Sequence, residues 1–125
     1  MKRILFFIVL LAFGFRASEN IKLEKPKGWP DPEIAYDLNS QQIQLGRMLF
    51  YDPVLSADGM VSCASCHSPY NAFAHTDHAL SHGIGDQIGK RNAPALMNLA
   101  WRKDFMWDGS ISSLNAQIAF PINHP

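Results

Sequence analysis

The chain has 125 residues, enough for one domain of ordinary size. Eleven Lys and Arg balance eleven Asp and Glu, and only 18% of residues are charged, which excludes the basic surface that holds nucleic acid. Apolar residues reach an ordinary 47%, while eight Gly and eight Pro fall mostly outside the periodic segments; they predict a loop-rich domain organised around something other than its own peptide core.

Residues 1–18 read as a signal peptide. Met1-Lys2-Arg3 is a basic start, and Ile4 to Phe15 is an apolar run too short for a comfortable membrane span. Ala12 and Gly14 suit cleavage after Gly14, whereas Phe15 and Arg16 sit badly in a later cut; a retained N-terminal anchor is the alternative. Either way the domain is expected outside the cytoplasm, in the periplasm. No cysteine follows the apolar run, which excludes a lipoprotein anchor.

Residues 19–38 are polar and punctuated by Pro26, Pro30 and Pro32, and they read as an extended lead-in to a domain covering 39–125. Asn39 then starts a helix. Gln42 completes a capping-box pattern, Leu38 and Ile43 suit a hydrophobic staple, and Ile43, Gly46 and Phe50 share one face flanked by Leu45 and Leu49. The helix must end near Asp52-Pro53, and Ser56-Ala57-Asp58-Gly59 reads as a turn.

Cys63-Ala64-Ser65-Cys66-His67 follows directly, on a short helix expected from Ser62 to about His67. C-x-x-C-H is the attachment signature of a c-type haem. On one helical turn the two thiols and the imidazole share a face. The thiols can form thioethers to the porphyrin vinyl groups, and the adjacent imidazole can ligate the iron. Both cysteines of the chain lie in this motif. A disulfide here would close too small a loop to stabilise much, and a thioredoxin-like redox pair expects a βαβ pattern that is missing. Zinc is the better rival, since His75 and His78 form an H-x-x-H. A zinc finger wants about twelve residues between the Cys pair and the first His, and three to five between the histidines. Here eight and two intervene.

From Ser68 to Asn92 the chain is irregular, with Gly83, Gly85 and Gly89 and three histidines. Gly83 to Lys90 superficially resembles a phosphate loop, but five residues rather than four separate Gly83 and Gly89, and Arg91 follows the Lys. Ala93 to Trp101 is a second helical candidate, with Pro94 in its first turn and Leu96, Leu99 and Ala100 facing inward. Ser113 to Phe120 is a third, stopped by Pro121. The fold class that follows is mostly α, a cytochrome c-like haem domain with long loops.

His67 takes one axial position of the iron, and the opposite position separates an electron carrier from a catalyst. His75, His78, His82, Met97 and Met106 are the candidates. His75 and His78 read most simply as part of a solvated polar loop. His82 precedes Gly83, where a pliable backbone would let an imidazole approach the porphyrin and leave it. A monohaem electron-transfer cytochrome with Met106 as ligand is the alternative reading, although Met106 between Phe105 and Trp107 suits a core position equally well.

The order of motifs resembles the opening of bacterial di-haem cytochrome c peroxidases, which are related to the methylamine-utilisation haem proteins. Leu45 to Pro53, Leu55 to Gly59, Ser62 to His67, Arg91-Asn92-Ala93-Pro94 and Phe105-Met106-Trp107-Asp108-Gly109 carry the resemblance, with Gln117 before Pro121. It implies that His67 is the proximal ligand of a peroxide-reacting haem and that His82, with His78 as the alternative, is a displaceable distal ligand. It implies that Arg91 helps bind the cofactor, that Trp107 bridges to a second haem, and that Gln117 lines the distal pocket. The implied substrate is hydrogen peroxide, and the implied electron donor is a small cytochrome c or a cupredoxin, with room for a homodimer. A second haem domain, a distal glutamate and interdomain calcium ligands would lie beyond Pro125, so the resemblance implies an N-terminal fragment. A relative that modifies a partner protein is the second enzyme reading, and it expects a five-coordinate first haem.

Overall fold

Asn39 opens the first long helix because its carboxamide oxygen accepts hydrogen bonds from the otherwise orphaned amides of Gln41 (2.8 Å) and Gln42 (3.3 Å). In the computed structural model, which describes residues 20–21, 24–32 and 38–124, this helix is α1 (Ser40–Tyr51). The Asn39 cap is therefore as expected, while the staple falls on the Leu38 side chain, outside the described ones, as does the expected signal peptide. Asp52 ends α1, and its carboxylate caps a single 3-10 turn over Pro53–Leu55 by accepting from the Val54 amide. Ile43, Leu49 and Phe50 are half-buried, whereas Leu45 and Met48 remain 56% and 67% exposed.

The expected turn at 56–59 closes with Gly59 N donating to Ser56 O. The short helix α2 (Cys63–Cys66) follows, with Ser62 and His67 as its flanking residues. It packs on α1. The final helix, α3 (Leu114–Ile122), starts one residue later than expected and runs through Pro121. Pro121 cannot donate an amide back one turn, but next to the helix end that removes a single bond, and the helix continues one residue past it. Asn123 then caps it, its amide and side chain both donating to Ala119 O.

The helix expected over 93–101 is not formed. Only Leu99–Trp101 turns, as a 3-10 segment behind Asn98, which has a left-handed backbone (φ 55°). Pro94 holds Ala93 away from helical geometry, and the Asn92 carboxamide captures the Ala93 amide at 2.8 Å. Nothing remains to nucleate the first turn.

Three loops, each closed by a single antiparallel bridge, make up most of the rest: Ser68 with Ala74, His82 with Ile88, and Phe105 with Ile111. The middle loop is drawn tight at its base, where Gly89 N donates to Ser81 O at 2.8 Å; a Cβ on Gly89 would stand 3.2 Å from that oxygen. In the lead-in, a two-residue ladder pairs β1 (Asn20–Ile21) with β2 (Leu38–Asn39). Trp29 meets Trp101 edge-on at 5.0 Å, and the Trp101 indole donates to Pro30 O, so this segment is fastened to the domain.

Among the described residues only Phe105 is buried, at 3% exposure, while Tyr70 (95%) and Met60 (78%) flank the haem motif in the open. Helices therefore supply most of the regular structure, but interlocked loops rather than a peptide core hold it. None of those helices is long and apolar enough to cross a membrane.

Candidate haem-binding site

The site begins with how α2 presents His67. Its amide donates to Cys63 O at 2.9 Å, completing the turn that sets Cys63, Cys66 and His67 at i, i+3 and i+4. The His67 ring lies with Nδ1 2.8 Å from Phe73 O. A carbonyl can only accept, so Nδ1 carries the proton and Nε2 keeps its lone pair free for a metal. Fixing a ligating imidazole through its other nitrogen is the usual way a protein orients it and raises its basicity.

That carbonyl is delivered by a strained turn. Ala72 and Phe73 both have left-handed backbones, at φ 54° and 57°, and Phe73 N donates back to Ser68 O. The Phe73 ring in turn contacts Phe50 of α1 edge-on at 5.9 Å. Helix α1 thus supports the turn that orients the candidate iron ligand.

Both cysteines are free and half-buried. Burial pushes the Cys66 thiol above its ordinary range, with the Cys63 thiol adding to the rise and the Ser81 hydroxyl opposing it. The cysteines do not meet His75 and His78: among the described residues no group of three or more His, Cys, Asp or Glu could hold a metal ion. The donor set instead suits covalent haem, with two thiols on one turn beside a pre-oriented imidazole.

The Cys66 thiol lies 3.7 Å from His82 O, which brings the middle loop against α2. The His82 ring donates from Nδ1 to the Asp86 carboxylate at 2.6 Å and stacks on His78 at 4.3 Å. Its Nε2 is left unpaired with a proton acceptor behind the ring, the arrangement a good metal ligand needs. Arg91 is exposed; its carbonyl accepts from Ser81 N and its charge acts on Asp108. Trp107 is 62% exposed, and its indole donates to Asn92 O at 2.8 Å. Met106 is half-buried with φ 69°, and Met97 is 54% exposed. On α3, Gln117 carries a buried Oε1 with no hydrogen-bond partner. His75 likewise has a buried, unpartnered Nδ1, so it is not the freely solvated residue its polar loop suggests.

Sequence reasoning missed the parts played by Phe73 and Asp86, and named Asn92 only as a member of a motif. Phe73 acts through a backbone carbonyl, which any residue type supplies, so no side-chain pattern could reveal it. Asp86 was visible only as a turn residue between glycines. Asn92 gathers the carbonyls of His75 (3.0 Å) and His78 (3.4 Å) and also receives Trp107, so the Arg-Asn-Ala-Pro motif is a junction between loops.

Comparison with known proteins places the chain in a family. A family profile described as di-haem cytochrome c peroxidase matches residues 40–125. The methylamine utilization protein MauG of Methylorubrum extorquens is 37% identical over 111 residues, covering 87% of this chain and 30% of that protein. The cytochrome c peroxidase Ccp of Escherichia coli K12 is 37% identical over 87 residues, covering 70% of this chain and 18% of that protein. Among solved structures, a MauG-like protein associated with microbial copper homeostasis superposes with a TM-score of 0.72 at 33% identity, covering 81% of this chain and 32% of that one. The chain thus spans less than a third of the length of these relatives. On the match over residues 40–125, the chain belongs to the di-haem cytochrome c peroxidase family, which implies a c-type haem.

Proposed function

We propose that this chain is the cytochrome c-like domain carrying the peroxide-reacting haem of a periplasmic di-haem enzyme. Residues 1–18 serve as its export signal and 39–125 as the haem domain. The complete enzyme reduces hydrogen peroxide to water: one peroxide, two electrons and two protons give two waters. A reduced c-type cytochrome or a cupredoxin supplies the electrons. The carrying observation is the His67 imidazole beside Cys63 and Cys66, held by Phe73 O with Nε2 free.

Cys63 and Cys66 would hold the porphyrin as thioethers, and His67 Nε2 would hold the iron. When bound, the haem supplies the redox-active metal that accepts peroxide and exchanges electrons. Phe73 O keeps electron density on the His67 ring by taking its Nδ1 proton in a hydrogen bond. His82 Nε2, on a ring whose tautomer Asp86 fixes, would be the second nitrogen able to hold the iron. Gln117, whose buried carboxamide oxygen has no partner, would offer a hydrogen-bond acceptor to a peroxide. Arg91 helps hold the cofactor from the base of the same loop. Trp107 presents its ring outward with its indole N–H fixed, which suits an electron bridge to a second haem domain. Proton movement between the peroxide oxygens needs a general acid-base, assigned by resemblance to a glutamate beyond Pro125.

The test is peroxide turnover by the full-length protein with a reduced small cytochrome c, after pre-reduction of its second haem. Turnover supports the proposal, and its absence overturns it. The likeness to MauG in sequence and structure favours one second reading, oxidation of a partner protein by a five-coordinate first haem. A ferric spectrum without a second strong axial ligand, unchanged in His82→Ala, would select that reading.

A further inference from the structure

Trp107 is 62% exposed, so packing does little to hold its ring. Its pose rests on one hydrogen bond, to Asn92 O at 2.8 Å, and on the backbone beneath it. That backbone is loop 105–111. Buried Phe105 anchors the loop, and Phe105 N donates to Ile111 O at 2.7 Å across its base. Between these ends the chain passes through two left-handed residues, Met106 and Gly109, both at φ 69°. Glycine takes that conformation freely, whereas in methionine it is strained and persists only where the surroundings enforce it.

Asp108 sits between the two. Its Oδ1 accepts from the Ser110 amide at 3.0 Å, a side-chain turn that stands in for a backbone one. The Ser110 hydroxyl and amide hold the Asp108 carboxyl below its ordinary 3.8, and the charge of Arg91 adds to this. The group is therefore an ionised acceptor at neutral pH. Arg91 adjoins Asn92, so two successive loop residues are drawn to two successive residues of that motif. Trp107 is held by a hydrogen bond and Asp108 is attracted by charge.

We propose that Asp108 is a positioning residue for Trp107, its carboxylate closing loop 105–111 and thereby fixing the outward pose of the indole. The geometry stands on these contacts alone. Only its consequence for turnover rests on the reading of Trp107 as an electron bridge.

Fluorine magnetic resonance of full-length, haem-loaded protein labelled with fluorotryptophan tests this. Trp107→Phe identifies the Trp107 resonance, and Trp29→Phe and Trp101→Phe identify two controls, which are fastened to each other elsewhere. Asp108→Ala should shift or split the Trp107 resonance and leave the controls in place. Asp108→Asn, whose carboxamide oxygen can still accept the Ser110 amide, should restore a single resonance. Asp108 is exposed, so both variants are expected to fold, and unmoved control resonances verify it. With a reduced small cytochrome c, Asp108→Ala should lower kcat severalfold at least and by up to about 100-fold, the cost of a misplacement on the order of 1 Å, at unchanged KM for peroxide. An unmoved Trp107 resonance in Asp108→Ala, or no recovery in Asp108→Asn, overturns the proposal. A moved resonance with unchanged kcat supports the positioning and counts instead against Trp107 as the bridge.

Discussion

Replacing Phe50 with Ala tests whether α1 positions the candidate iron ligand, His67. Phe50 is half-buried and meets the rings of Tyr51 (5.1 Å) and Phe73 (5.9 Å), both edge-on. Truncating a fully buried Phe costs about 3–5 kcal/mol, so a half-buried one should cost roughly 2 kcal/mol. An edge-to-face contact accounts for about 0.5–1.5 kcal/mol of that. In a domain of this size the midpoint of thermal unfolding should fall by roughly 8–16 °C. The loss also frees the Phe73 turn, whose left-handed residues have intrinsic reason to relax, and so weakens the bond from His67 Nδ1 to Phe73 O. The assay pairs thermal unfolding of the haem-loaded protein with the iron–histidine stretching frequency in the ferrous state. Phe50→Ala should lower both, and Phe50→Leu should recover most of the stability but not the frequency. A destabilised Phe50→Ala protein with an unchanged frequency would refute the link, showing that the turn holds its shape alone.

Asn39→Ala should cost about 1 kcal/mol, because the amides of Gln41 and Gln42 lose their acceptor, and Asn39→Asp should retain most of the stability; far-ultraviolet circular dichroism through a denaturant titration reads both. The Asp58 carboxyl is held below its ordinary 3.8 by the Ser56 hydroxyl and the Met60 amide, and Asp108 is lowered in the same way by Ser110. A folded-state pKa below the unfolded value adds stability that is present above about pH 4 and lost as pH falls through the lowered value. Denaturant midpoints should therefore drop as pH falls below about 4, and Asp58→Asn should shrink that drop without abolishing it.

How far the sequence carried depended on how local the determining interaction was. The Asn39 cap, the α1 boundary at Asp52, the turn at 56–59 and the C-x-x-C-H helix are set within a few residues, and each was legible. The segment 93–101 was not. Its apolar spacing suits a helix, but Asn92 takes the Ala93 amide and reaches back 17 and 14 residues to the histidine loop. That long-range demand overrides a weak local propensity. Pro121 was misjudged for a simpler reason, since a proline near a helix end removes one hydrogen bond and not the helix. Among the candidate site residues, His67 was singled out by its spacing from the two cysteines. The neighbours that orient it act through backbone atoms or across loops, where residue identity is silent.

The same loops that leave the described residues almost without a peptide core also assemble the candidate site. Loop 68–74 delivers the carbonyl to His67, loop 81–91 brings His82 against Cys66, and loop 105–111 holds Trp107 to Asn92. Each is closed by one bridge and rests on another loop or on α1, so each is stable only while its neighbours are in place. A covalent porphyrin seated on Cys63, Cys66 and His67 would give all three a common rigid surface, and the two thioethers would make that surface permanent. Folding and haem attachment should therefore be coupled. Loop residues such as Phe73 and Asn92, remote in sequence from the motif, should then govern how much haem-loaded protein accumulates as strongly as residues of α1 do.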